Sequence, residues 1–355
     1  MRDLLGVKYI PLLSVRPAEL RALKELPNKT KDRLFPSLTL RPWTTAHHLG
    51  SVLAKIEESY GDRAIVVDAG AEEPLEGASR PVHEQLARLR DPTDGYRNWY
   101  DFLLEHESYI PTLQLANLDQ IAPQVGRLAG LERGLVIRVP EYAFGTATGL
   151  VQLAKSSIPE SKICVIFDYE QKSRELLTRA AATRALAAGI LDHSPNCSIV
   201  ISASSFPIDF TARTRQEIYE RELFNEVRSA VSGGNLIYSD RGSARAERQT
   251  GGGGTPAPRI DLAGSGEWSF FREEDDGDRA AAYADAAVRA MDDDLWDEEL
   301  QVWGTQMVRR TAAGDEDAII SPARSTAARI NIHLQQQEFY NDPDEKYDTD
   351  EEWED

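Results

Sequence analysis

Apolar segments recur about every thirty residues from the N-terminus to about residue 243, and a helical stretch follows each one. Several are continuous apolar runs, such as residues 64–67 and 163–167. Such runs are typical of parallel strands that are buried on both faces. Eight strand-helix units predict a TIM-like (β/α)8 barrel. The predicted strands are residues 7–15, 34–40, 63–69, 108–115, 134–139, 162–168, 197–203 and 235–240.

The pattern changes after residue 248. The glycine run 251–254 predicts a flexible linker over residues 249–258, which ends a barrel formed by residues 1–248. Two short strands, 259–262 and 267–272, predict a hairpin, and helical patterns follow at 278–291 and through Trp296 and Trp303 toward Val308. The segment 325–337 closes the part that is predicted to be ordered. We therefore expect a small C-terminal α+β appendage over residues 259–340.

The charge of the chain and its distribution distinguish between possible classes of binding partner. The formal net charge of -19 is against a general nucleic-acid binder, because phosphates are neutralised by clustered Lys and Arg. Residues 341–355 contain nine acidic residues and one lysine, which predicts a disordered acidic tail. This tail could serve solubility, dock on a basic partner, or imitate the charge of a nucleic acid.

Two features predict a cytoplasmic protein without a disulfide. No apolar run approaches the roughly 18 residues that span a bilayer, and the N-terminus leads into the first strand without an export segment. Cys164 and Cys197 both fall in predicted interior strands, where a thiol usually packs as a small apolar group.

The candidate chemistry lies at the predicted strand ends, which meet at one opening of a barrel. Asp68, Asp168 and Asp240 end apolar runs there. Three such carboxylates could hold a divalent cation or act as general acid and base. Alternatively, each caps the following helix or pairs with Arg16, Arg138 or Arg241 inside the opening.

Arginines at the same ends support a second interpretation. Arg16, Arg41 and Arg138 could clamp a phosphate or carboxylate, since a guanidinium binds such groups through paired hydrogen bonds. Glu141 and Arg241 are further ligand-binding candidates. Other polar residues at strand ends are Asn117, Glu170, Ser202, Ser204 and Ser205. The run 251–254 lacks the Lys-Ser or Lys-Thr of a phosphate-binding loop, and no Gly-x-Ser-x-Gly motif surrounds the serines.

His333 is the one histidine in a suggestive setting. An alternating pattern would place it on one side with Arg329 and Asn331, as in a site. A surface or packing role is nevertheless the expected one.

Several segments together resemble the bacteriophage-type beta protein family. They begin with Tyr9-Ile10-Pro11-Leu12-Leu13, and the match extends to about residue 340. The others are Arg16, Glu19, Ala22-Leu23, Leu26, Pro36, Pro42, Val165-Ile166-Phe167-Asp168, the hairpin with Trp268, Trp303-Gly304 and Asn331-Ile332-His333.

The resemblance implies an association with mobile elements and host-phage conflict, without a set of catalytic residues to transfer. Two positions depart from the family pattern. The family's basic residue after the opening proline is Ser14 or Val15 here, and its doubled histidine near the end is Ile332-His333. A role that needs a histidine pair is therefore in doubt.

Three hypotheses of function follow. The first is a barrel protein of an anti-phage defence or mobile-element system that acts through a protein partner from the same operon. The second is a metal-dependent phosphodiesterase-type hydrolase that uses the strand-end carboxylates and a divalent cation. The third is an acidic mimic of nucleic acid. Neither a membrane nor direct nucleic-acid binding is expected, a homo-oligomer is compatible with the sequence, and catalysis is left open.

Overall fold

The computed structural model describes residues 4–71, 78–210, 213–246, 256–274 and 277–349 of the 355-residue chain. They form a mixed α/β structure with parallel sheets. The strands are β1 (Leu12–Ser14), β2 (Ser37–Thr39), β3 (Ile65–Asp68), β4 (Tyr109–Pro111), β5 (Leu135–Pro140), β6 (Ile163–Gln171), β7 (Ser198–Ser204), β8 (Arg215–Glu217), β9 (Asn235–Ser239), β10 (Arg259–Ala263) and β11 (Glu267–Arg272). The helices are α1 (Pro17–Lys24), α2 (Asn28–Arg33), α3 (Leu49–Tyr60), α4 (Pro81–Leu89), α5 (Thr93–Leu104), α6 (Ile121–Ala129), α7 (Ala147–Ala154), α8 (Ala180–Leu191), α9 (Tyr219–Ala230), α10 (Arg279–Met291), α11 (Trp303–Ala312) and α12 (Pro322–Glu338).

All eight strands of the predicted barrel are present, in two parallel sheets. One sheet has the order β1-β2-β3-β4 and the other β5-β6-β7-β9. Parallel bridges join Thr112 to Val136 and Tyr9 to Tyr238, so the outer strands of one sheet approach those of the other at both edges. Backbone hydrogen bonds from Leu113 N to Val136 O and from Leu12 N to Asp240 O, both 2.8 Å, lie at the same two places.

Burial on both faces explains the continuous apolar runs. Along β3, Ile65 and Val67 belong to the large core beneath the helices, while Val66 belongs to a second cluster with Val136, Ile166 and others from neighbouring strands. Successive side chains of a strand point to opposite faces, so a run without alternation is what two buried faces require. Cys164 and Cys197 are buried and unpaired, as predicted.

A third, antiparallel sheet has the order β10-β11-β8. The predicted hairpin of β10 and β11 is confirmed. Strand β8, however, lies after the seventh predicted strand, where the sequence predicted a helical stretch. The three residues of β8, Arg-Gln-Glu, have no apolar alternation of their own. They form a strand because β11 provides a partner, in the register Trp268 to Gln216.

Helix α12 packs against α1, α9 and α11, three helices that are far apart in the sequence. Its Asn331 Nδ2 donates to Ala22 O in α1 at 3.0 Å, and Asn331 Oδ1 accepts from Gly304 N in α11 at 2.9 Å. Gln337 Oε1 accepts from Arg221 of α9 at 2.6 and 2.9 Å. The helix is buried along most of its length, including His333, which has a packing role rather than a surface one.

The prediction of a disordered acidic tail is wrong for residues 341–349, the part of the tail that the structure describes. Residues Pro343–Tyr347 form a short 3-10 helix. Asp342 pairs with Arg33 Nη2 at 2.9 Å, and Lys29 of α2 contacts Glu345 and Asp348. The acidic segment is ordered here because basic side chains of α2 offer partners. Residues 350–355 and the glycine run 251–254 lie outside the described residues. None of the helices in the described ranges is long and apolar enough to cross a membrane.

Candidate functional site

One arginine joins two of the predicted strand-end carboxylates. Arg138 in β5 contacts Asp68 Oδ2 through Nη1 at 2.8 Å and Asp168 Oδ2 through Nη2 at 2.6 Å. Arg241, which follows β9, donates from Nη2 to the same oxygen of Asp168 at 2.7 Å. Parallel strands bring these residues together because their carboxyl ends meet at one edge of the sheets. Pairing of the carboxylates with arginines, the alternative to metal binding, is therefore observed for Asp68 and Asp168.

Backbone N–H groups hold the other oxygen of each carboxylate. Gly70 N donates to Asp68 Oδ1 at 2.8 Å, and Glu170 N donates to Asp168 Oδ1 at 2.9 Å. Gly70 has a φ of +65°, and a Cβ there would lie 2.6 Å from Thr39 Cγ2, so the turn that presents its N–H requires glycine. Both carboxylates are thus fixed from two sides.

Asp168 is ionised at neutral pH. Burial raises the pKa of this carboxyl group, but the charges of Arg241 and Arg138 and the Glu170 N–H together outweigh burial and bring it to about 2. The same two carboxylates hold the pKa of Arg138 above its usual value despite burial. Asp168 and Arg138 are therefore both charged at neutral pH.

A cavity of about 590 Å³ lies over this cluster. We call it the strand-end pocket and define it by four arginines and three acids that line it: Arg41, Arg90, Arg138, Arg241, Asp68, Asp168 and Glu170. Arg241 is 8 % exposed, and its Nε makes no hydrogen bond with the described residues. A buried donor without a partner is unusual and fits a site that accepts an outside anion.

The arrangement favours anion recognition over metal ligation. A guanidinium lies between Asp68 and Asp168, and a divalent cation placed between them would be repelled by it. Within the described ranges, no group of three or more His, Cys, Asp or Glu side chains could hold a metal ion. The third predicted ligand, Asp240, does not line the pocket.

Asp240 instead accepts four hydrogen bonds in the interior. Its Oδ1 accepts from the Tyr9 hydroxyl and from Gly242 N, and its Oδ2 lies 2.7 Å from both Tyr238 Oη and His333 Nε2. Burial raises the pKa of Asp240, but His333 and the donated hydrogen bonds outweigh it and leave the pKa below the usual value. Asp240 ties the N-terminal segment, β9 and α12 together, which is a structural role.

The remaining candidates are dispersed. Glu141 pairs with Lys172 at 2.7 Å and with Arg179 at 3.1 Å. Asn117 caps a 3-10 helix by accepting from Asp119 N at 3.1 Å, and Ser205 Oγ donates to buried Glu220. Ser204 Oγ donates to Ala244 O at 2.8 Å, whereas Ser202 is buried. Neither Glu141 nor the serines line the strand-end pocket.

Arg16 lines a second cavity, of about 640 Å³, between α1, α12 and the start of β10. We call it the C-terminal cleft and define it by five arginines on its wall: Arg16, Arg245, Arg259, Arg272 and Arg329. Sequence analysis missed this group as a site. Its members come from five separate segments, and no local motif connects them.

The fold and the pocket describe an α/β protein with parallel sheets and an arginine-carboxylate cluster at their carboxyl edge. A family model described as Beta protein matches residues 9–339. The chain belongs to the Beta protein family, which confirms the resemblance seen in the sequence. It is 27 % identical over 342 residues to Protein beta of Enterobacteria phage P4, an alignment that covers 93 % of this chain and 92 % of that protein.

Proposed function

We propose that the two parallel sheets form one closed (β/α)8 barrel, with the strand-end pocket at its mouth. The parallel bridges at both sheet edges support closure. The inner apolar cluster supports it too, because that cluster draws residues from strands of both sheets, including Leu12, Val66, Ile166 and Ile237. A barrel of eight strands has an interior just wide enough to be filled by such side chains.

In this barrel, α12 takes the place of the eighth helix. The helix after the eighth strand packs between the helices of the seventh and first units, and α12 contacts both α9 and α1. Residues 241–321 are then an insertion between the last strand and the last helix.

We infer that the protein acts in a mobile-element or anti-phage defence system by binding a protein partner. The strand-end pocket holds a carboxylate or phosphate group of that partner. The observation that carries this proposal is the fixed Arg138 guanidinium beside Arg241, whose buried Nε lacks a partner among the described residues. The similarity to a phage protein supports the setting.

The geometry gives less support to the other two functions. For hydrolysis, Asp68 and Asp168 are both engaged by one guanidinium, which competes with a metal ion for the same oxygen atoms. For mimicry of nucleic acid, Asp342, Glu345 and Asp348 are already paired with Arg33 and Lys29.

The test is co-purification of the tagged full chain from its native host at physiological salt. The partner identified in this way is then purified, and its affinity is measured for the wild type, Arg41→Gln and Arg97→Gln. Arg41 lines the strand-end pocket, whereas Arg97 lies on the surface of α5. Arg97→Gln therefore removes the same charge at a place outside the pocket. We expect Arg41→Gln to weaken binding about tenfold, the loss of one charge-assisted hydrogen bond, and Arg97→Gln to leave it unchanged.

Recovery of the wild type as a lone monomer would argue against a partner. Equal affinity of Arg41→Gln and Arg97→Gln would remove the pocket from the interface. Hydrolysis is tested separately with Asp68→Asn. A cellular phenotype that survives this substitution eliminates the metal-assisted mechanism.

A further inference from the structure

The C-terminal cleft concentrates positive charge on an acidic protein. Five arginines line it, whereas the acids on or directly behind its wall are Glu19, Asp209 and Asp261. The local excess of two positive charges contrasts with the formal charge of -19 for the chain. Such a reversal of sign concentrates anions at the site.

Two of these arginines are held rigidly. Arg259 and Arg329 both contact the carboxylate of Asp261, which is 2 % exposed. Each guanidinium also stacks on an aromatic ring, with Arg259 Cζ 3.5 Å from the centre of Phe210 and Arg329 Cζ 4.0 Å from that of Phe206. Little side-chain entropy therefore remains to be lost when an anion binds.

Arg329 carries hydrogen-bonding capacity that the described residues do not use. It is 4 % exposed, and its Nε has no hydrogen-bond partner among them. Burial, together with the charges of Arg259 and Arg245, lowers its pKa to about 10 in spite of Asp261. The carboxylate of Asp261 does not offset burial and the charges of Arg259 and Arg245 at Arg329, and an anion in the cleft would relieve the repulsion between these cations.

Helix ends add to the same field. Pro17 and Ala18 in the first turn of α1, and Pro322 and Ser325 in the first turn of α12, line the cleft. The N-terminal ends of helices carry partial positive charge and favour anions. The arginine side chains and the N-terminal ends of α1 and α12 thus all contribute positive charge to the C-terminal cleft.

We propose that the C-terminal cleft binds a phosphorylated small molecule of about nucleotide size. Phosphate has enough acceptor oxygens to engage several guanidinium groups at once. The volume of about 640 Å³ is that of a pocket for an organic ligand, and Tyr283, Ile330 and Ala257 supply an apolar part of the wall. This site shares no lining residue with the strand-end pocket and does not depend on the function proposed for it.

The experiment is isothermal titration calorimetry of the full chain with ADP, inorganic pyrophosphate and adenosine. Wild type and three variants are compared: Arg245→Gln, Arg272→Gln and, as the matched control, Arg41→Gln. Arg245 donates to Pro207 O and Ile208 O, and Arg272 is exposed, so both replacements leave the Asp261 cluster intact. Circular dichroism and thermal melting verify that each variant is folded.

We expect ADP to bind with a Kd below roughly 100 μM, pyrophosphate more weakly, and adenosine not detectably. Arg245→Gln and Arg272→Gln should each weaken ADP binding about fivefold to tenfold, and Arg41→Gln should not. Absence of ADP binding at millimolar concentration overturns the proposal. Pyrophosphate binding as tightly as ADP overturns the nucleotide-sized part of it. ADP binding that is lost only in Arg41→Gln places the ligand in the strand-end pocket and overturns the C-terminal cleft as its site.

Discussion

Glu19 is a buried acid whose charge opposes folding near neutral pH. It is 6 % exposed, and its carboxylate accepts from Ser14 N. Burial raises its pKa from 4.5 to about 7, although Ser14 N, Arg16, Arg241 and Arg41 act in the opposite direction. For an acid with a raised pKa in the folded state, stability is fully present below the unfolded pKa and is lost as pH rises through the folded pKa.

Glu19→Gln should therefore stabilise the protein at high pH and not at low pH. The amide oxygen can still accept from Ser14 N, and no charge has to be buried. We expect the free energy of unfolding to increase by up to about 3 kcal/mol at pH 8 and to change little at pH 4.5. Urea denaturation at both pH values measures the difference, with Glu25→Gln at the end of the same helix as the control. An equal effect at the two pH values would contradict the assignment.

The pKa of Asp168 is shifted in the opposite direction to that of Glu19, so its effect on stability has the opposite dependence on pH. Its pKa is lowered from 3.8 to about 2, so its contribution to stability is present above about pH 4 and is lost as pH falls toward 2. Asp168→Asn should cost about 3–5 kcal/mol at pH 7, because it leaves Arg241 without its carboxylate. Chemical denaturation of Asp168→Asn, Arg241→Met and the double variant forms a thermodynamic cycle. The second substitution should cost less in the presence of the first, and strict additivity would show that the pair is not coupled.

At the scale of elements, close contact between α11 and α12 depends on one glycine. A Cβ at Gly304 would overlap Ala328 O and lie 2.6 Å from Ile332 Cγ1. Helix backbones that approach so closely leave no room for a side chain.

Gly304→Ala should destabilise the protein by about 2–3 kcal/mol, since overpacking forces the two helices apart. The matched control is Gly149→Ala in α7, where a Cβ would meet nothing within 4 Å. That variant should gain about 0.5–1 kcal/mol from helix propensity alone. Denaturant unfolding of both variants compares the two, and a harmless Gly304→Ala would mean that the helices are less tightly packed.

The sequence predicted elements well where their pattern is local. All eight parallel strands were found because their apolar runs reflect burial on both faces, although β1 and β2 extend over fewer residues than predicted. Strand β8 was missed because its pairing with β11 depends on distant residues. The alternation at Arg329, Asn331 and His333 predicted that the three lie on one side, whereas the segment is a helix, α12, in which all three are buried.

The candidate site was predicted in part for the same reason. Strand topology places Asp68, Arg138 and Asp168 at one edge, so the sequence could name them. Which side chains pair, here one guanidinium with two carboxylates, depends on side-chain positions that the spacing of residues in the sequence does not determine. The C-terminal cleft is assembled from segments far apart in the chain, and only the folded structure brings Arg16 to the same wall as Arg329.

At the scale of the whole molecule, repulsion between like charges opposes compactness. The formal net charge is -19, while salt screens little of an ion pair such as Arg241 with Asp168, because both residues are buried. Raising the ionic strength from 10 to 150 mM shortens the Debye length from roughly 30 to 8 Å.

Added NaCl should therefore raise Tm by roughly 1–2 °C, the shift that about 1 kcal/mol produces in a protein of 355 residues. Differential scanning calorimetry measures it, with choline chloride at equal ionic strength as the control for specific ion effects. A fall in Tm would mean that surface ion pairs outweigh the net repulsion.

The position of α12 also has a consequence for folding during synthesis, because residues made early need residues of α12 as their neighbours. Ala22 near the N-terminus is contacted by Asn331, and Tyr9 shares the carboxylate of Asp240 with His333. Ala22 is thus synthesised 309 residues before Asn331, the residue that donates to it. Until residue 338 has been synthesised, the flank of α1 that α12 later covers is exposed, and partly folded chains that expose such surface tend to associate.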